Sequence, residues 1–149
     1  MNRPAHRPRL RLLRISALVL GAIMLFWLPI EDPDERLVIL FAAAICALAA
    51  AYFLVSSMVW QKEPSRMAAS ALRNGRWLMV PLICTLAGLA LTPVTLFLMA
   101  FKSGLHGHSS PDFTPGQITA VILRTPIWTG AGLLIGLGIT LLKKVKLFE

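Results

Sequence analysis

LVILFAAAICALAAAYFLVSSMVW, residues 37–60, runs for twenty-four positions without Asp, Glu, Lys, Arg or His. The hydrocarbon core of a bilayer is roughly 30 Å thick and takes about 20 such residues as a helix. Alanine dominates the run at Ala42, Ala43, Ala44, Ala47, Ala49, Ala50 and Ala51. Charge returns at once on both sides. Glu31, Asp32, Asp34 and Glu35 precede it, and Lys62, Glu63 and Arg66 follow.

Three more runs are similarly apolar, residues 15–30, 77–101 and 118–142, the last interrupted by Arg124. The whole chain is 56% hydrophobic and 15% charged, with mean hydropathy +0.70. A soluble domain averages about 25% charged. The longest connectors are too short for a second core. The expectation is one all-α membrane domain over residues 1–149, a four-helix bundle of four spans. The first run follows a basic start and resembles a signal peptide. Leu28-Pro29-Ile30-Glu31 offers no small-residue cleavage site, so it reads as a retained anchor.

Charge placement gives the orientation. Arg3, Arg7, Arg9, Arg11 and Arg14 precede the first run, Lys62, Arg66, Arg73 and Arg76 lie between the second and third, and Lys143, Lys144 and Lys146 follow the fourth. With Glu63 and Glu149 that side carries +10, and the other side carries −2. The positive-inside rule then puts both termini in the cytoplasm of a bacterial-type inner or plasma membrane, or on the equivalent side of a thylakoid. This placement accounts for the net charge of +8, so nucleic acid is not implied as a partner. Trp27 and Trp128 are expected at the outer interface, Trp60 and Trp77 at the inner one. Residues 64–76 read as an amphipathic surface helix. Its Met67, Ala71 and Leu72 would face lipid, and Arg66, Arg73 and Arg76 would meet anionic headgroups.

Helices in lipid have no hydrophobic drive to associate, so small residues that permit close approach matter. Gly132-x-x-x-Gly136-x-x-x-Thr140 supplies such a face, as do Thr85, Gly88 and Thr92. It serves either internal packing or contact with lipid or another subunit. Pro93 frees a carbonyl mid-run, which Thr92 and Thr95 are placed to satisfy.

The outer loop, residues 102–117, holds the most varied chemistry. Thr114, Pro115 and Gln117 form a helix-start signal, an N-cap with proline at the first position and a capping box. A helix from residue 115 to 142 would be about 42 Å long, more than a membrane needs. Residues 115–124 are therefore expected as a short interfacial helix, bending near Pro126. Arg124 then reaches lipid phosphate, pairs with Asp112 or the 31–35 acidic loop, or recognises an anionic ligand or partner. His106, His108 and Asp112 are weak metal candidates, since imidazole suits zinc or copper. The 31–35 cluster lacks the oxygen count of a calcium loop.

The four runs contain no histidine for an intramembrane haem and no carboxylate for ion coupling. Cys46 and Cys84 show no metal or disulfide spacing. The leading expectation is a non-catalytic accessory or structural subunit of a larger membrane complex, energy-transducing or photosynthetic. Its partners would be membrane lipids and other membrane subunits, with lipid, quinone or pigment bound at its surface. Two other readings make specific demands. A transporter or channel component needs a polar cavity lined by Thr85, Thr92, Thr95 and Ser56 or Ser57. A membrane enzyme needs His106, His108, Asp112 and Arg124 to converge at the outer interface.

Overall fold

In the computed structural model all regular structure among the described residues, 6–30, 34–60, 68–106 and 112–145, is helical. Helix α1 spans His6–Trp27, α2 Glu35–Trp60, α3 Ala68–His106, α4 Pro115–Leu123 and α5 Thr125–Val145. Among the described residues four segments are long and apolar enough to cross a membrane: Arg9–Trp27, Glu35–Ser57, Leu78–Leu105 and Pro115–Leu142.

The helix boundaries follow from local chemistry. Pro29 cannot continue α1. The chain turns there instead, with Leu28 N–H donating to Met24 O at 2.9 Å and Ile30 N–H to Trp27 O at 3.0 Å. Asp34 then starts α2, its Oδ1 accepting from Arg36 N–H at 2.8 Å. The capping box expected at Thr114 is present. Gln117 N–H donates to Thr114 Oγ1 at 3.3 Å, and Thr114 N–H donates to Gln117 Oε1 at 2.8 Å.

Besides α1, which starts nine residues before its apolar run and ends at Trp27, three boundaries differ from the sequence expectation. Helix α3 begins at Ala68 and runs unbroken past Trp77, so residues 68–76 extend it rather than form a separate surface helix. It also continues to His106, so Lys102 is helical and not the start of a loop. At 39 residues it is roughly 58 Å long. Third, the fourth run divides at Arg124, two residues before the expected bend at Pro126. The ladder is interrupted there for one residue only, since Arg124 N–H donates to Ala120 O and Trp128 N–H to Arg124 O. Pro126 lacks the N–H that would reach Ile122 O, and Thr125 Oγ1 donates to that carbonyl instead, at 2.6 Å.

The helices pack as a bundle, in an open row that follows chain order: α1 on α2, α2 on α3, α3 on α5. The closest pair is α3 and α5, which run antiparallel. Thr92 meets Thr125, Gly88 meets Trp128, Cys84 meets Gly132 and Pro81 meets Gly136. Each step is three or four residues on both helices, so one stripe faces one stripe. A Cβ at Gly132 would lie 3.0 Å from the Cys84 carbonyl carbon, and one at Gly136 2.5 Å from Pro81 Cα. Only glycine lets the backbones approach this closely.

The densest packing lies at one end of the row. Trp27, Leu28, Val38, Ala42, Leu98, Met99, Phe113 and Val121 form a single cluster. It joins the end of α1, the start of α2, the last turns of α3, and α4. We call this the capped end. Along the rest of the row large side chains such as Leu18, Phe26, Phe53, Leu82, Leu134 and Leu142 stand exposed.

Candidate functional site

The capped end gathers most of the described polar chemistry, and Trp27 organises it. Its ring sits 4.7 Å from that of Phe41, tilted by 39°. Lys102 Nζ lies 4.1 Å from the indole centroid. Lys102 is fully buried, four residues along α3 from Leu98 and three from Met99. The negative face of an indole attracts an ammonium, by about 2 kcal/mol when the pair is shielded from water. The indole Nε1–H has no acceptor among the described residues. Leaving a buried donor unmade costs about 1–3 kcal/mol. Trp27 is thus a core residue of this end.

Phe113 and Val121 close the cluster from the far side and are almost wholly buried. Phe113 precedes the Thr114 cap, so the capping box holds it at a fixed point relative to α4. Arg124 ends α4 and donates from Nη1 to Glu35 Oε1 at 3.1 Å. That bond ties the break between α4 and α5 to the first turn of α2. Arg124 thus makes the pairing with the acidic segment, one of the three roles considered for it. The pair is partly exposed, 42% for Arg124 and 21% for Glu35, so it is worth about 1 kcal/mol or less.

The hydroxyls expected to line a polar cavity are used otherwise. Thr85 Oγ1 donates to Pro81 O at 2.8 Å and Thr95 Oγ1 to Leu91 O at 2.7 Å. Thr92 Oγ1 lies 2.7 Å from Thr125 Oγ1. Since Thr125 donates to Ile122 O, Thr92 is the donor of that pair. Neither Thr92 nor Thr95 therefore serves the carbonyl that Pro93 frees, as the sequence suggested. Ser56 and Ser57 donate to Phe53 O and Leu54 O. These two serines line a groove between α2 and α3, and the three threonines do not line it.

Among the described residues, grooves lie between the helices. One of about 430 Å³ lies among α2, α3 and α5, lined by Ala43, Ala47, Cys84, Gly88, Trp128 and Gly132 among others. A second, of about 550 Å³, is the α2–α3 groove with the serines. A third, of about 480 Å³, lies between α1 and α2. All three are overwhelmingly apolar.

Gly132 and Gly136, expected as packing or contact residues, sit against Cys84 and Pro81 of α3. Trp128 is half-buried, with its carbonyl against Gly88. Asp112 is half-buried at the capped end. His106 closes α3, but its side chain and all of His108 lie outside the described residues. The side chains of Arg66, Arg73 and Arg76 also lie outside them. Among the described residues no three of His, Cys, Asp and Glu gather as a metal-holding group.

Sequence reasoning missed Lys102 and Phe113. For Lys102 the local signal was misleading, since Ser103 and Gly104 beside it read as a loop. For Phe113 the signal was the position just before the N-cap, where an apolar residue commonly packs back on its helix.

No family model, curated protein or solved structure matches the chain.

Proposed function

We propose that the chain is a four-span integral membrane protein of a bacterial-type inner membrane or thylakoid, both termini on the cytoplasmic side, serving as a non-catalytic accessory subunit of a larger membrane complex. One observation carries this reading. The polar interactions of the capped end join the chain's own helices, while those helices stand in an open row with apolar outer faces. Such a row has two broad apolar sides and little interior. Contiguous exposed apolar surface on this scale marks contact with lipid or other proteins.

The orientation rests on charge alone: three basic segments fall on one side and the acidic connector on the other. Span length supports the membrane itself, since each candidate segment has a mean hydropathy of at least 1.6. The energy-transducing or photosynthetic setting follows from the apolar outer faces along most of the row, which suit surface contact with quinone or pigment.

The test is purification from native membranes in mild detergent. A tagged chain is expected to migrate as a defined complex, with at least one other membrane polypeptide in fixed ratio by mass spectrometry. A monodisperse monomer without partners would overturn the subunit role.

A further inference from the structure

The groove between α1 and α2 has a polar end and an apolar length. From α1 its wall comprises Leu13, Arg14, Ala17, Leu20, Gly21 and Met24, which share one helical face. From α2 it comprises Ile45, Leu48, Ala49, Tyr52 and Phe53. Among the described residues the wall carries two polar side chains, the exposed Arg14 and the half-exposed Tyr52. They lie at the same level. Trp27 and Phe41 face each other across the antiparallel pair. Arg14 is thirteen residues back from Trp27, about 20 Å, and Tyr52 eleven on from Phe41, about 16 Å. The apolar part then extends about 15 Å from Arg14 to Met24.

No side chain among the described residues fills the groove. Ala17, Gly21 and Ala49 are small, and a Cβ placed on Gly21 would meet nothing within 4 Å. Its volume of about 480 Å³ falls in the range of roughly 300–1,000 Å³ usual for ligand sites.

We propose that this groove holds one acyl chain of an anionic phospholipid, with the phosphate on Arg14 and Tyr52. Apolar contact cannot select the occupant, because surrounding lipid is equally apolar. Charge can. A guanidinium binds phosphate through paired N–H donors, and a phenol supplies a further O–H. Arg9 and Arg11, exposed on the turns before Arg14, reinforce the same sign. The proposal rests on the membrane reading above and assigns the lipid to the leaflet on the basic side.

The full chain in mild detergent, exposed to equal phosphatidylglycerol and phosphatidylcholine, is examined by native mass spectrometry. Wild type is expected to retain one phosphatidylglycerol in preference to phosphatidylcholine. Arg14→Gln is expected to lower that preference about fivefold, the factor for one cation near an anionic surface. Gly21→Leu is expected to fill the groove and abolish retention. Both variants keep wild-type helix content, because Arg14 is exposed and Gly21 faces open space. A control, Gly138→Leu, lies in open space outside this groove and retains the lipid. Equal retention of the two lipids by wild type, or unchanged retention in both Arg14→Gln and Gly21→Leu, would overturn the proposal. So would a photocrosslink from position 21 to a second polypeptide instead of lipid. Carbonate washing of the same membranes separates the two levels. Release of the chain sinks the membrane reading and this site together, whereas a chain that stays bound but shows no lipid preference sinks this site alone.

Discussion

Trp27 combines three contacts that a single ring can make at once: an aromatic neighbour, a buried cation and an unmade hydrogen bond. Its packing outweighs its orphaned N–H, since large core aromatics contribute several kcal/mol. Trp27→Ala is expected to cost about 3–5 kcal/mol of stability in detergent unfolding. Trp27→Phe keeps a ring under Lys102 and deletes the orphaned donor, so its cost is expected below about 1.5 kcal/mol. A neutral Trp27→Ala would show that the capped end is not the core. Arg124 belongs at this scale too. Arg124→Gln removes a partly exposed pair, and thermal unfolding is expected to shift by no more than about 1 kcal/mol, less at high salt. The role of Arg124 was readable from residue order to within three options, because a lone cation near an acidic connector has few partners. The burial of Lys102 was not readable, because lysine beside serine and glycine reads as a loop. Only the facing Trp27, far away in the chain, turns that segment inward.

At the scale of elements, the α3–α5 seam depends on glycine at alternate close points. Gly88→Ala and Gly132→Ala place a Cβ against fixed backbone of the partner helix, at 3.0 Å from a carbonyl carbon in both cases. Each is expected to cost about 1–3 kcal/mol by overpacking. Gly130→Ala and Gly138→Ala meet nothing within 4 Å and are expected to be neutral or to stabilise by up to about 1 kcal/mol through helix propensity. Equal costs at all four positions would remove the distinction between a packed and an open face. The helix α4 is tested by Thr114→Ala, which deletes the cap and is expected to cost about 0.5–2 kcal/mol, with faster amide exchange over residues 115–123. The glycine stripe and the capping box were legible because each is a local spacing with one geometric meaning. What sequence left open was the partner of the stripe, since small faces on three runs are interchangeable until one register is chosen. The continuation of α3 through Lys102 was hidden for the converse reason: Gly104 signals a turn locally, and packing of Leu98, Met99 and Lys102 overrides it.

At the scale of the whole molecule, the row buries one end well and leaves its flanks apolar. The four runs and their number were plain from hydropathy, because transfer of charge into hydrocarbon is so costly that it patterns the whole chain. The open arrangement was not, since hydropathy says nothing about which helices touch. That openness is the basis for a subunit role, and it separates positions cleanly. Leu18, Leu134 and Leu142 look outward, whereas Gly132 faces α3. The most direct measurement is site-specific photocrosslinking in native membranes, with the reactive group placed in turn at these outward positions. At least one of them is expected to give a discrete adduct with a different membrane polypeptide. Lipid adducts alone from every outward position would contradict the account.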